Sequence, residues 1–239
     1  MAIKYNKETL DTALAYSNGD TLEERKKGEK ILSMVSRLEL GSRSTKPVQE
    51  WFISHTDEII SMMSHETDSR LLWGYIHMLN WFCDRYINYA HLTRDNDDFI
   101  NDPRTKHFKE QAYFYVESMI ATKDMKVLSA VGCFLSTICH DKRAWDLFAI
   151  VLQKKRDKMT LTNIKQRVSR CRRLTIEKET ICDIWGNPLS YDEVISKEQI
   201  ITLREVFQNI ESKTMASDIS DTIKELDEML EAKASYKEN

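Results

Sequence analysis

Residues 68–83 read DSRLLWGYIHMLNWFC, and this stretch decides the fold class. Asp68 is a typical N-cap residue, and apolar side chains then recur three or four residues apart, at Leu72, Tyr75, Ile76, Leu79, Phe82 and Cys83. Because these positions cover more than one face of a helix, they favour a helix that is buried on several sides. We therefore predict a helix from Leu71 to Tyr89 in the middle of a helical core.

A second stretch, DMKVLSAVGCFLSTIC at residues 124–139, matches the first without gaps, 56 residues later. The match aligns two helix-capping residues, Asp68 and Asp124, and a basic residue follows each of them. It also aligns two small residues, Gly74 and Ala130, at positions that allow helices to cross closely. The two stretches are therefore predicted to be equivalent helices of an internal repeat.

Residues 45–175 resemble the helical repeats of HEAT and armadillo proteins. The resemblance rests on the two matched stretches and on the amphipathic helices predicted before them, Pro47 to Ser64 and Phe108 to Ala121. It implies stacked antiparallel helix pairs, in which each pair buries the apolar stripe of its neighbour. The residues alone fit an irregular helical bundle equally well, so both all-α architectures stay open.

The rest of the sequence also favours an all-α fold. Six glycines and three prolines among 239 residues are too few for the frequent turns of a β-sandwich or β-barrel. Capping boxes at Thr21–Glu24, Ser190–Glu193 and Ser196–Gln199 mark helix starts outside the repeat. We predict a main helical domain, residues 1–175, and a C-terminal helical region, residues 176–239, that packs on it and ends in an amphipathic helix and a polar tail.

The sequence also allows predictions about the cellular compartment and about bound metals or cofactors. Apolar runs are too short for a signal-peptide core or a membrane span, and five scattered cysteines favour reduced thiols, so we expect a cytoplasmic protein without membrane contact. Cys133, Cys139 and His140 lack the spacing of a zinc site. The acidic stretch at residues 95–102 lacks the central glycine of a calcium loop. We expect neither a metal nor a cofactor.

One segment has an unusual charge. Between residues 154 and 173, a single acidic residue, Asp157, accompanies nine basic ones: Lys154, Lys155, Arg156, Lys158, Lys165, Arg167, Arg170, Arg172 and Arg173. Folding does not require such clustering, and a bound polyanion would relieve the repulsion. Three of these residues repeat every seven positions, which predicts a cationic ridge along one line of a helix.

This ridge predicts binding to the phosphate backbone of RNA or DNA, largely independent of sequence and sensitive to salt. Arginine favours this function because one guanidinium group can donate two parallel hydrogen bonds to a phosphate. The alternative is that acidic residues neutralise the ridge, either in a partner protein or in this chain. Glu177, Glu179 and the acidic C-terminal region supply enough charge, because residues 177–239 contain 15 acidic and 7 basic side chains.

The tryptophans divide into two predicted groups. Trp185 precedes a Gly-Asn-Pro turn and is the best candidate to be exposed and to stack on a base. Trp51, Trp81 and Trp145 lie on apolar helical stripes and are predicted to belong to the core.

The residue pattern contains no recognisable catalytic constellation. We therefore predict a non-enzymatic helical binding protein, an adaptor or accessory subunit that binds nucleic acid. The alternative is a protein–protein scaffold, in which the terminal helix Asp218 to Glu231 pairs with a second copy, caps the domain or docks on a partner.

A third hypothesis is enzymatic. In its helices, length and basic segment the chain is similar to the DNA glycosylases built from HEAT-like repeats, whose active surface places tryptophans beside an aspartate. The nearest counterparts here are the stretches Trp81 to Arg85 and Asp141 to Trp145, and neither reproduces the cluster of that family.

Overall fold

A computed structural model describes residues 6–37, 45–84, 99, 101–138, 142–177, 181–182, 188–189 and 194–235. These residues form eleven α-helices: α1 (Lys7–Ser17), α2 (Leu22–Val35), α3 (Thr45–Ser54), α4 (Thr56–His65), α5 (Ser69–Phe82), α6 (Pro103–Ser118), α7 (Met125–Ile138), α8 (Lys142–Lys154), α9 (Lys158–Glu177), α10 (Lys197–Gln208) and α11 (Ala216–Ser235). A 3-10 turn (Met119–Ala121) follows α6, and two short strands, β1 (Ile181–Cys182) and β2 (Pro188–Leu189), pair antiparallel. The all-α prediction is confirmed.

Two of the three predicted capping boxes form, and the third, Ser190–Glu193, lies outside the described residues. The Thr21 hydroxyl accepts the Glu24 N–H at 3.2 Å, and the Glu24 carboxylate accepts the Thr21 N–H at 3.1 Å. Ser196 and Gln199 make the same reciprocal pair at 3.1 and 3.0 Å. The hydrogen bonds from Thr21 hold the pKa of Glu24 below its usual value. These caps satisfy backbone donors that a helix start otherwise leaves unpaired.

The two matched stretches form α5 and α7, and their starts have the same geometry. Asp68 accepts the N–H groups two and three residues ahead at 2.9 and 3.0 Å, and Asp124 does so at 2.8 and 3.0 Å. The predicted helix Leu71–Tyr89 is observed as far as Phe82, and residues 85–89 lie outside the described part of the chain.

Residues Met1–Ile138 form one compact unit, here called the N-terminal unit. In it, α1 and α2 pack on each other, and Lys27 of α2 donates to the Tyr16 hydroxyl of α1 at 2.8 Å. Helices α3 and α4 run parallel to α6, because Arg104 binds Glu50 and the Tyr115 hydroxyl donates to the Met63 carbonyl. This pairing of neighbours is compatible with a helical-repeat arrangement.

A buried carboxylate joins α2 to the turn between α4 and α5. The Glu66 side chain is only 2% exposed, and its carboxylate accepts the Arg25 Nε–H at 3.0 Å. The other Glu66 oxygen accepts the backbone N–H groups of Thr67 and Asp68 at 2.9 and 2.8 Å. A single carboxylate thus accepts hydrogen bonds from three donors, so Glu66 stabilises the packing of α2 against this turn.

Gly28 allows α1 and α2 to approach closely, and we expect Gly28→Ala to lower the free energy of unfolding by about 2 kcal/mol. A β-carbon at this position would lie 2.5 Å from Ala13 O and Ser17 N, which are backbone atoms of α1, so the two helices would have to separate. Urea unfolding monitored by circular dichroism measures the loss.

Gly74→Ala is the matched control. Its β-carbon would meet the Glu29 side chain, which can rotate away, and we expect a loss below about 1 kcal/mol. Equal losses in the two variants would show that the α1–α2 approach is not the cause.

Residues Cys139–Asn239 form the second compact unit, here called the C-terminal unit. Helices α8 and α10 run in the same direction, because Gln199 binds Asp146 near one end and Arg156 donates to the Asn209 carbonyl near the other. The buried Trp145 donates its indole N–H to the Val194 carbonyl at 2.9 Å.

The division between the units differs from the predicted domains 1–175 and 176–239. The boundary falls between Ile138 and Cys139 in the sequence, and α9 belongs to the same unit as α11, to which its side chains bind. Residues 176–239 therefore share a compact unit with α8 and α9, and the predicted domains stay a prediction. Among the described helices, none is long and apolar enough to cross a membrane.

Candidate nucleic-acid interface

Helix α9 carries most of the predicted basic segment, and its side chains divide among three faces. The apolar face is buried as predicted, at Leu161, Ile164, Val168 and Cys171. Asp157 starts the helix by accepting the Thr160 N–H at 2.9 Å. Apart from the buried Arg167, the basic side chains of α9 either contact α11 or are exposed.

The second face of α9 contacts an acidic line on α11. Lys165 binds Asp218 at 2.6 Å and Asp221 at 3.4 Å, and the first of these hydrogen bonds is the main reason that the pKa of Lys165 is raised. The Ser169 hydroxyl donates to the Glu225 carboxylate at 2.6 Å, and Arg172 binds Glu228.

The partners are separated by a constant 56 residues, at Lys165–Asp221, Ser169–Glu225 and Arg172–Glu228. A constant separation means that α9 and α11 run parallel with their turns aligned. The expected outward ridge through Lys158, Lys165 and Arg172 is therefore corrected: the last two side chains face α11. Neutralisation within the chain, the alternative open from the sequence, accounts for this part of the segment.

Three further basic residues also have roles within the chain. Arg167 is 6% exposed and belongs to the buried part of α9. Lys155 binds Asp157 at 3.1 Å. Arg156 donates to the backbone carbonyls of Leu152 and Asn209, both at 3.0 Å. Lys155 and Arg156 thus bind residues at the end of α8, before α9 and after α10.

The third face of α9 is exposed and cationic. Lys158, Arg170 and Arg173 are exposed, and within the described ranges none of them has a hydrogen bond or ion pair. Arg170 and Arg173 lie about 60° apart around the helix, and the three residues span about 22 Å along it. Lys158 lies near the line of Lys165 and Arg172 but precedes the residues that bind α11. Gln166 is exposed between Lys158 and Arg170, and Lys154 is exposed at the end of α8. We call Lys158, Arg170 and Arg173 the outer edge.

Three residues singled out in the sequence have no described side chain. Trp185 and Glu179 lie outside the described residues, and the side chain of Glu177 is not described. The carboxylates that neutralise α9 in the described part of the chain belong to α11 instead.

The remaining tryptophans include a cluster that the sequence did not predict. Trp51 and Trp145 are 3% and 2% exposed, so their core placement is confirmed. Trp81 is only half-buried, and Trp73 is 36% exposed. The His77 ring lies between these two, with ring centroids 4.4 Å from Trp73 and 5.3 Å from Trp81. The sequence signal for this cluster is that Trp73, His77 and Trp81 follow one another at intervals of four residues, which places them on one face of a helix.

The counterparts of the glycosylase surface are largely internal. Trp145 is buried, and Asp141 lies outside the described residues. Phe82 and Cys83 are buried, and burial raises the pKa of the Cys83 thiol, as expected for a structural cysteine. Of the Trp81–Arg85 stretch, Trp81 and Asp84 are half-buried and Arg85 lies outside the described part.

Comparison with known proteins assigns no family to the chain. No family model matches it, and no curated protein matches its sequence. Across the residues that the structure describes, no group of three or more His, Cys, Asp or Glu side chains is arranged to hold a metal ion. Cys139 and His140, from the densest set in the sequence, lie outside these residues.

Proposed function

We propose that this protein is a non-enzymatic helical binding protein, an adaptor or accessory subunit, that binds the backbone of RNA or DNA along the outer edge. The observation that carries the proposal is the division of α9, whose cations on one face are matched by carboxylates of α11. The outer-edge residues Lys158, Arg170 and Arg173 have no acidic partner among the described residues. An anion outside the chain would neutralise the outer edge.

The chemistry of the outer edge favours phosphate over base recognition. Two of its three cations are arginines, which bind phosphate oxygens with two parallel hydrogen bonds. Exposed Gln166 adds a neutral donor between them. Contacts of this kind fix the position of a strand without reading its sequence.

The fold supports a binding role. The identical caps of Asp68 and Asp124, and the parallel neighbours in each unit, are what a HEAT- or armadillo-type repeat would show. Such repeats expose rows of helix edges to partners. The cytoplasm is the proposed compartment, because the described cysteines, Cys83, Cys133 and Cys171, are thiols rather than disulfides.

The triple variant Lys158→Glu, Arg170→Glu, Arg173→Glu tests the proposal. We expect it to bind a generic oligonucleotide at low salt about 100-fold more weakly than the wild type, with an unchanged circular dichroism spectrum. For the wild type, we expect log K to fall with log salt concentration at a slope of about −2 to −3, as three phosphate contacts require. Fluorescence anisotropy measures both.

The matched control is Lys7→Glu, Lys30→Glu, Lys106→Glu, which reverses three exposed charges on α1, α2 and α6 of the N-terminal unit. It changes the net charge equally, so we expect its affinity to stay within about threefold of the wild type. Equal losses in the two triple variants, or a wild type that retains no oligonucleotide at low salt, would contradict the proposal.

The second candidate is a protein–protein scaffold that does not bind nucleic acid. Met159 and Ile176 favour it: they are 43% and 42% exposed, at the two ends of α9 and on the same face as the outer edge. A partner with an acidic and apolar surface would suit this face. Pairing of α11 with a second copy has less support, because Ile219, Leu226 and Met229 are already buried within this chain.

A further inference from the structure

Helices α5 and α7 meet along a line of polar side chains in the N-terminal unit. The Asn80 amide donates to the Cys133 sulfur at 3.7 Å, which places these two residues face to face. His77 lies one turn before Asn80, and Ser129 lies one turn before Cys133, so both share the facing surfaces. We call His77, Asn80, Ser129 and Cys133 the polar seam.

Most polar groups of the seam lack a partner although they are buried. His77, Asn80 and Ser129 are 5%, 5% and 3% exposed. Within the part of the chain that the structure describes, both His77 ring nitrogens, Asn80 Oδ1 and Ser129 Oγ have no hydrogen bond. More than nine in ten buried polar groups normally have a hydrogen-bond partner. Four bare atoms, meaning polar atoms without such a partner, on two facing helices therefore indicate that something else binds there.

Aromatic rings border the seam on the α5 side. The Trp73 ring meets the His77 ring edge to face at an interplanar angle of 64°, and the Trp81 ring stacks on His77 at 29°. The Arg37 guanidinium covers the ring of Trp81, 3.2 Å from its centroid. Trp73 is therefore the ring at the solvent end of this row, and it is 36% exposed.

We propose that the polar seam is a binding site for an uncharged, planar nitrogen heterocycle of the nucleobase type. A neutral imidazole offers one donor and one acceptor, an amide oxygen accepts, and a hydroxyl does both, which matches the mixed edge of such a ring. The seam itself contains no charged side chain, so a neutral ligand suits it.

Trp73 provides both the stacking surface and the access route. The Trp73 ring is partly exposed and lies against His77, so rotation of this ring would uncover His77. The ligand ring would then stack on an indole while its edge reaches His77 and Asn80. This site is independent of the outer edge, since it uses other residues in the other compact unit.

Isothermal titration of the full-length protein with adenosine and uridine tests the seam. We expect wild-type binding, and a loss of at least about tenfold in His77→Phe, which keeps an aromatic ring but removes both nitrogens. Phe114→Ala removes an exposed ring on α6 and serves as the control, with affinity expected within about twofold. The outer-edge triple variant should bind nucleosides like the wild type, which separates this site from the proposed function.

The ligand could be a free nucleoside or an unpaired base in a nucleic-acid strand. A competition experiment distinguishes them by comparing how well a single strand with bases and an abasic strand of equal length displace bound adenosine. If the protein prefers the strand with bases and His77→Phe abolishes this preference, the ligand is an unpaired base. If the two strands compete equally, the ligand is the free nucleoside. The proposal is overturned if the wild type binds neither nucleosides nor bases, or if His77→Phe binds them as well as the wild type. It is likewise overturned if a crystal structure soaked with adenosine shows only ordered water on the four bare atoms.

Discussion

Glu66→Ala is expected to lower the free energy of unfolding by about 3 kcal/mol. The Glu66 side chain is 2% exposed and the Arg25 side chain is 25% exposed, so the variant leaves a largely buried cation without its carboxylate. It also leaves the N–H groups of Thr67 and Asp68 without their acceptor at the turn before α5. Urea unfolding monitored by tryptophan fluorescence measures the loss.

Glu50→Ala is the control for this prediction. Glu50 also pairs with an arginine, Arg104, but the two side chains are 59% and 48% exposed. Water can solvate the remaining charge, so we expect a loss below about 1 kcal/mol. Equal losses of unfolding free energy in Glu66→Ala and Glu50→Ala would show that burial does not determine how much the Glu66–Arg25 pair stabilises the protein.

Acidification is expected to destabilise the N-terminal unit through His77. Burial, and to a smaller extent the charge of Arg37, lowers the pKa of His77 to about 4 from the ordinary 6.5. The unfolded chain therefore takes up this proton at a higher pH than the folded chain. The resulting stability is complete above pH 6.5 and is lost between pH 6.5 and 4, to a total of about 3 kcal/mol.

His77→Phe isolates this contribution. The variant keeps a ring between Trp73 and Trp81 but cannot titrate, and carboxylates elsewhere affect both proteins alike. We expect its advantage in unfolding free energy over the wild type to grow by about 3 kcal/mol from pH 6.5 to pH 4. Parallel stability curves over this range would contradict a buried neutral imidazole.

The helical elements were largely predictable because their signals are local. The capping boxes at Thr21 and Ser196 and the Asp caps of α5 and α7 each need only three or four consecutive residues. The buried stripe of α9 follows from periodicity alone. The compact units were less predictable, because their division depends on which distant helices pack together.

The candidate site was only partly predictable for the same reason. Periodicity assigns Lys165 and Arg172 to a face of α9, but it does not show that this face meets Asp221 and Glu228. The acidic C-terminal region was recognised as a neutralising segment, yet its alignment requires the packing of α11. His77 resembles any helical histidine in sequence, and its burial depends on neighbours outside its own helix.

The parallel alignment of α9 and α11 has a practical consequence for protein engineering. The ion pairs between α9 and α11 fix which turn of one helix lies beside which turn of the other. The chain that connects the two helices therefore does not have to fix their alignment. Residues 211–214, between α10 and α11, are largely exposed. A fluorophore or affinity tag attached there should report on the molecule without shifting either helix.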